Sequence, residues 1–133
     1  MTPTLEETMS RNIVFVGIGG LVGCIARYLI VTLAANYFTT GVPLGTLLVN
    51  ILGCFLIGAG VGLAEHYEWM RGEGRILLLA GFCGGFTTYS AFALENFQFL
   101  IEKNFWMFGA YSLLTFALCL AAVAIGFYVT AGR

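Results

Sequence analysis

Charge is what this sequence has least of. Asp, Glu, Lys and Arg together make up 10% of its 133 residues, where a soluble domain carries about 25%. With 59% hydrophobic residues beside so little charge, the chain cannot keep a surface in water and belongs to the membrane class. A basic excess is missing too. Six Lys and Arg stand against seven Asp and Glu, so there is no phosphate-binding patch and nucleic acid is not an expected partner. The four cysteines, at positions 24, 54, 83 and 119, stand singly. Without a CxxC pair there is no disulfide framework and no paired metal-ligand spacing, and small apolar packing is their default role. His66 sits in a polar loop without a partner at ligand spacing and reads as solvated. No nucleophile–base set and no phosphate loop occurs, so no enzyme is expected. The start, MTPTLEETMSR, lacks the basic opening of a secretory signal. The apolar run after it is too long for one, and reads as a retained span.

What the chain does have is long apolar runs bounded by charge. They cover about 12–35, 44–64, 76–101 and 104–131, each long enough for a helix to cross a membrane at 1.5 Å per residue. None alternates as a barrel strand would. The expectation is an all-α membrane protein of four transmembrane helices in a single domain. NYFTTGVP (36–43) reads as a short loop, EHYEWMRGEGR (65–75) as an aqueous loop, and Glu102-Lys103 as a tight turn. Four crossings place both termini on one side, with Arg11, Arg71, Arg75 and Arg133, against Lys103 on the other. The positive-inside rule then favours cytoplasmic termini, and so small a bias also fits insertion in both orientations.

Eighteen glycines are present, several spaced four apart: Gly19 and Gly23, Gly41 and Gly45, Gly58 and Gly62. Such pairs let helix backbones approach closely in lipid, within one subunit or between two. Four helices hardly enclose a polar path, which favours an oligomer, most simply a two-fold dimer.

The third run interrupts itself with Gly84-Gly85-Phe86-Thr87-Thr88. Non-helical backbone at membrane depth is tolerated only where protein covers it or where it lines a cavity. Two half-helices with a break over 84–88 are expected, offering carbonyls to a cation or N-termini to an anion; a continuous helix with a glycine notch is the alternative. Around the break, Tyr89 and Phe92 share a helix face, either as core aromatics or with positive ring edges turned to an anion. Ser90 and Glu95 are further polar groups inside the span. Asn50 must be paired in lipid, as a functional group or as a bridge between helices. Tyr111, Thr115 and Cys119 form an i+4 stripe with Ser112 nearby. The stripe either lines a polar path or bonds back to carbonyls four residues earlier. Arg27 either snorkels to the interface or attracts anions in a vestibule.

Three blocks, GGLVGCIARYLI (19–30), GTLLVNILGCFLIG (45–58) and GFCGGFTTYSAFALE (81–95), resemble the Fluc family of fluoride channels, also called the CrcB family. The resemblance covers the whole chain. It implies a passive fluoride exporter of the plasma membrane (the bacterial inner membrane), built as a homodimer of subunits in opposite orientations with two pores. It implies a Na⁺ at the dimer centre, held by carbonyls at Gly84 and Thr87. It places Asn50, Tyr89, Phe92, Tyr111, Ser112, Thr115 and Cys119 along the fluoride path, Arg27 at the vestibule, and Glu95 as the acid after the aromatic pair. Tyr89 and Cys119 depart from the family pattern, which has a phenylalanine at the first position and a hydroxyl at the second. Two rival readings fit less well. A small proton-coupled multidrug transporter needs a membrane acid, typically in the first span, where this chain has only Arg27. A non-transporting membrane scaffold would explain the glycines but not polar residues gathered at one depth.

Overall fold

The computed structural model describes residues 4–132. Four helical spans are long and apolar enough to cross a membrane: Leu5–Tyr37, Leu44–Leu63, Arg75–Ile101 and Phe105–Ala131. The chain is an all-helical, multi-pass membrane protein. The first span, α1 (Leu5–Tyr37), begins seven residues before the apolar run does. Its start is fixed by a capping box, in which the Thr4 hydroxyl accepts from the Glu7 amide at 3.2 Å and the Glu7 carboxylate accepts from the Thr4 amide at 2.8 Å. At 33 residues α1 is about 50 Å long, well beyond the ~30 Å hydrocarbon core. Its first turns therefore stand outside lipid, and Arg11 there pairs with Glu73 at 3.3 Å. That contact puts the N-terminal end and the 65–75 loop at the same face. Arg133, assigned to that face by its sequence position, lies outside the described residues.

The second span is α2 (Leu44–Leu63). The loop after it contains a short helix, α3 (Glu68–Arg71), where the polar sequence predicts plain loop. Met70 is buried beneath it, and Trp69 covers Gly74. His66 is exposed, yet its Nε2 lies 3.1 Å from the Ala131 carbonyl, which ties the loop to the end of the last span.

The third span is in two parts. Wide π-helical turns over Arg75–Cys83 tighten to α over Gly84–Phe86, and these together are α4. Thr87 and Thr88 are extended, with ψ of 158° and 116°. The helix restarts as α5 (Tyr89–Ile101), capped by the Thr88 hydroxyl, which accepts from the Ala91 amide at 3.2 Å. The break thus falls within the expected window but on its threonines; Gly84 and Gly85 remain helical. After a turn in which Lys103 has a φ of 57°, α6 (Phe105–Ala131) closes the subunit.

Two of the three glycine pairs are used inside the chain, whereas Gly41 has open space around it and only Gly45 packs, against Val31. A Cβ on Gly19 or Gly23 would strike the α4 backbone at Leu77 and Phe82, and one on Gly58 or Gly62 would strike α6 at Val123 and Phe127. Gly126 returns the contact against Phe55 and Ala59. So α1 lies on α4, and α2 lies on α6 at backbone distance. These contacts rise together along α2 and α6, so the two helices run parallel with a common four-residue step.

Candidate functional site

That step sets the site. One turn before the Gly58–Val123 contact, Cys54 of α2 stands level with Cys119 of α6. One turn earlier Asn50 stands level with Thr115, and earlier still Thr46 with Tyr111. The last level is confirmed by a shared partner: Glu95 of α5 accepts hydrogen bonds from both the Thr46 hydroxyl and the Tyr111 hydroxyl, the second at 2.7 Å. The stripe Tyr111–Thr115–Cys119 therefore has a mate, Thr46–Asn50–Cys54, on the facing helix. Its four-residue spacing was readable in the sequence but was not singled out.

The middle levels open onto a cleft of about 280 Å³ beside the break, lined by Asn50, Cys54, Thr88, Tyr89, Phe92, Thr115 and Cys119 among others. Five of the expected pathway residues meet there. Tyr111 does not line it. That ring is buried between Phe92 and Phe99, at centroid distances of 5.4 and 5.9 Å, and forms a wall. Beyond the wall a second cavity of about 480 Å³, lined by Thr46, Glu95, Gln98 and Glu102 among others, opens where the 38–43 loop joins α1 to α2. Ser112 is turned away from the cleft and donates to the Asn96 carboxamide at 2.8 Å.

The broken backbone is satisfied from both sides. The Asn50 carboxamide accepts from the Thr88 amide at 2.8 Å and donates to the Thr88 carbonyl at 3.1 Å. It is thus the bridge between helices that lipid requires, with one N–H left over, since a carboxamide carries two. Arg27 does not reach for the interface through its Nε, which donates to the Gly85 carbonyl at 3.0 Å, an acceptor that the break deprives of its helical donor. Thr87 bonds back to the Cys83 carbonyl at 2.9 Å. Among the described residues, neither the Gly84 nor the Thr87 carbonyl takes a hydrogen bond. Gly84 is exposed, with open space where a side chain would stand.

Two groups of the cleft lining are unengaged. Thr115 is 6% exposed, and its hydroxyl makes no hydrogen bond, with the Tyr111 hydroxyl nearby but outside bonding geometry. The expected alternative, a bond back to its own helix, is absent. Tyr89 is 80% exposed, its ring 5.9 Å from that of Phe92. Ser90 points to the Thr88 hydroxyl at 3.3 Å. Chemically the cleft is an apolar groove with donors at one depth and the Tyr89 and Phe92 rings in its lining. Such a lining suits a small, hard anion that must exchange water for hydroxyl and amide protons.

Comparison with known proteins gives a consistent set of relatives. The family model for the CrcB-like protein, Camphor Resistance (CrcB), matches residues 14–127. The fluoride-specific ion channel FluC of Azobacteroides pseudotrichonymphae is 39% identical over 122 residues, 92% of this chain and 98% of the relative. That of Leptospira interrogans is 37% identical over 119 residues, 89% of each. That of Prosthecochloris aestuarii is 49% identical over 91 residues, 68% of this chain and 70% of the relative.

Proposed function

The chain belongs to the CrcB family of fluoride channels, and from that premise we propose that it is itself a fluoride-selective channel of the plasma membrane, working as an antiparallel homodimer with two pores. The observation that carries this reading is the cleft beside the broken third span, with the unengaged Thr115 hydroxyl in its wall. A buried hydroxyl without a partner costs about 1–3 kcal/mol. Such a cost is tolerated where a ligand supplies the missing acceptor, and fluoride is a strong acceptor.

The route is built from donors of graded strength. Thr115 offers its free proton, Asn50 its remaining N–H, and Tyr89 and Phe92 their ring edges. In Tyr89 the phenol adds a donor that a phenylalanine would lack. Because Asn50 is fixed by two bonds to Thr88, its free N–H is oriented before the ion arrives and needs no reorganisation. Binding must also be weak enough to release, and a lining with few donors on apolar walls meets that need. Arg27, pinned on Gly85, brings positive charge toward the break from α1 and favours anion entry.

The Gly84 and Thr87 carbonyls would hold the Na⁺. They fit it in being oxygen donors without a hydrogen bond, on a face left open in the single subunit. When bound, Na⁺ supplies a fixed positive charge that draws the anion toward the membrane centre. Flow is passive, and a negative interior expels fluoride with about 2.3 kcal/mol per 100 mV.

The test is fluoride efflux from liposomes containing the purified protein, with chloride as control. Rapid fluoride release without chloride release is the expected result. No fluoride release from correctly assembled protein overturns the reading.

A further inference from the structure

A thiol is a weak donor, so Cys54 and Cys119 contribute little to a fluoride route that they nevertheless line. We propose that these two cysteines form a clamp for one soft, two-coordinate monovalent cation, Cu⁺ or Ag⁺, and that the bound ion closes the cleft to anions. The sequence spacing gave no paired ligands, because the pair is made across two helices.

Three observations support the clamp. The thiols are free, half-buried, level with each other across α2 and α6, and open to the same cleft. The helices carrying them are held rigid one turn away by the Gly58–Val123 and Gly126–Phe55 backbone contacts, so the pair is positioned before the ion arrives. One turn in the other direction stands the Thr115 hydroxyl, buried without a partner, and the free N–H of Asn50. Soft sulfur ligands select Cu⁺-type ions over Mg²⁺ or Ca²⁺.

Binding is a proton exchange with no electron transfer. The cation forms two metal–sulfur bonds, two thiol protons leave to solvent, and a bis-thiolate of net charge −1 remains. That charge sits in the cleft and repels an entering anion, and it engages the Thr115 and Asn50 donors that fluoride would meet. Closure therefore rests on the channel reading, whereas binding does not. Cys83 is buried against a separate apolar pocket, and Cys24 is exposed on α1; both serve as controls.

The experiment is Ag⁺ binding to the purified full-length protein in chloride-free nitrate buffer. Stoichiometry is read by native mass spectrometry and affinity by competition with a thiol chelator. One Ag⁺ per chain is expected, bound at least tenfold more weakly in Cys54→Ser and in Cys119→Ser, and unchanged in Cys24→Ser and Cys83→Ser. Release of two protons makes the affinity rise by up to about a hundredfold per pH unit. Equal binding by the wild type and both clamp variants, or loss with Cys83→Ser alone, overturns the clamp. If Cys54→Ser fails to fold, Cys119→Ala carries the same comparison. In liposomes Ag⁺ is expected to stop fluoride efflux of the wild type and not the residual efflux of Cys119→Ser. One bound Ag⁺ with unaltered efflux overturns the closure. Absence of efflux before Ag⁺ is added sinks the channel reading instead, with the binding data still standing.

Discussion

Asn50 and Thr115 are level with each other across α2 and α6, yet their hydrogen bonding is opposite. Asn50 is engaged by both the amide and the carbonyl of Thr88, whereas the Thr115 hydroxyl has no partner. Stability and conduction should therefore separate at these two positions. Thr115→Val removes a buried unsatisfied group, so the folded protein should gain about 1 kcal/mol. Its fluoride efflux should fall about tenfold, equivalent to about 1.4 kcal/mol of lost interaction. A thermal melt in detergent and the liposome assay read the two effects, and a destabilised Thr115→Val would mean the hydroxyl has a structural partner. Asn50→Ala should lose both properties together. It strands two backbone groups of Thr88 in a dry site, at about 1–3 kcal/mol each, and releases the break. Unchanged melting of Asn50→Ala would show that Thr88 finds other partners.

The elements show how far residue pattern carries. Long apolar runs bounded by charge marked the four spans, because lipid demands them whatever the packing. The extra two turns of α1 were missed because Glu6, Glu7 and Arg11 end the apolar run, although Thr4-x-x-Glu7 is a readable capping signal. In the third span, glycine drew attention to the break but does not form it. Gly85 is helical because its missing side chain admits the Gly20 backbone and Cys24. Extended backbone falls instead to β-branched Thr87 and Thr88, the second also capping α5. The π-helical turns of Arg75–Cys83 have no signature in sequence and lie where Gly81 meets the α1 backbone. In the site, the Asn50–Thr88 grip and the Arg27–Gly85 bond were hidden, since each joins residues far apart in the chain. The glycine pairs were open to two readings, and packing within the chain explains those on α1 and α2. Gly23→Val tests this. Its branched side chain would meet the α4 backbone at Phe82 and Phe86, so loss of folded protein is expected. Gly17→Ala, with open space around it, should be silent. A well-folded Gly23→Val by circular dichroism and size exclusion would mean that α1 and α4 are not in backbone contact.

At the scale of the whole molecule, the subunit leaves its most polar backbone uncovered. The Gly84 and Thr87 carbonyls take no hydrogen bond among the described residues, and Gly84 faces open space at the depth of the break. Lipid cannot satisfy such groups, so a second copy is the covering that the proposed antiparallel dimer would provide. For two identical chains to meet there in opposite orientations, each must be able to insert both ways. The charges permit it: the face bearing Arg11, Arg71 and Arg75 also bears Glu65, Glu68 and Glu73, leaving little positive bias to choose an orientation. Glu73 is the position to label. It is partly exposed in the loop that Arg11 pins to the end of α1, and an ion pair open to solvent contributes at most about 1 kcal/mol, so Glu73→Cys should fold normally. In a background lacking the four native cysteines, a membrane-impermeant maleimide added outside intact cells should label about half of the Glu73→Cys chains. The remainder should react only after permeabilisation. Labelling from one side alone would sink the antiparallel dimer, and with it the two-fold Na⁺ site. A channel would then have to be built from parallel subunits whose broken spans cannot face each other across a two-fold axis in the membrane plane.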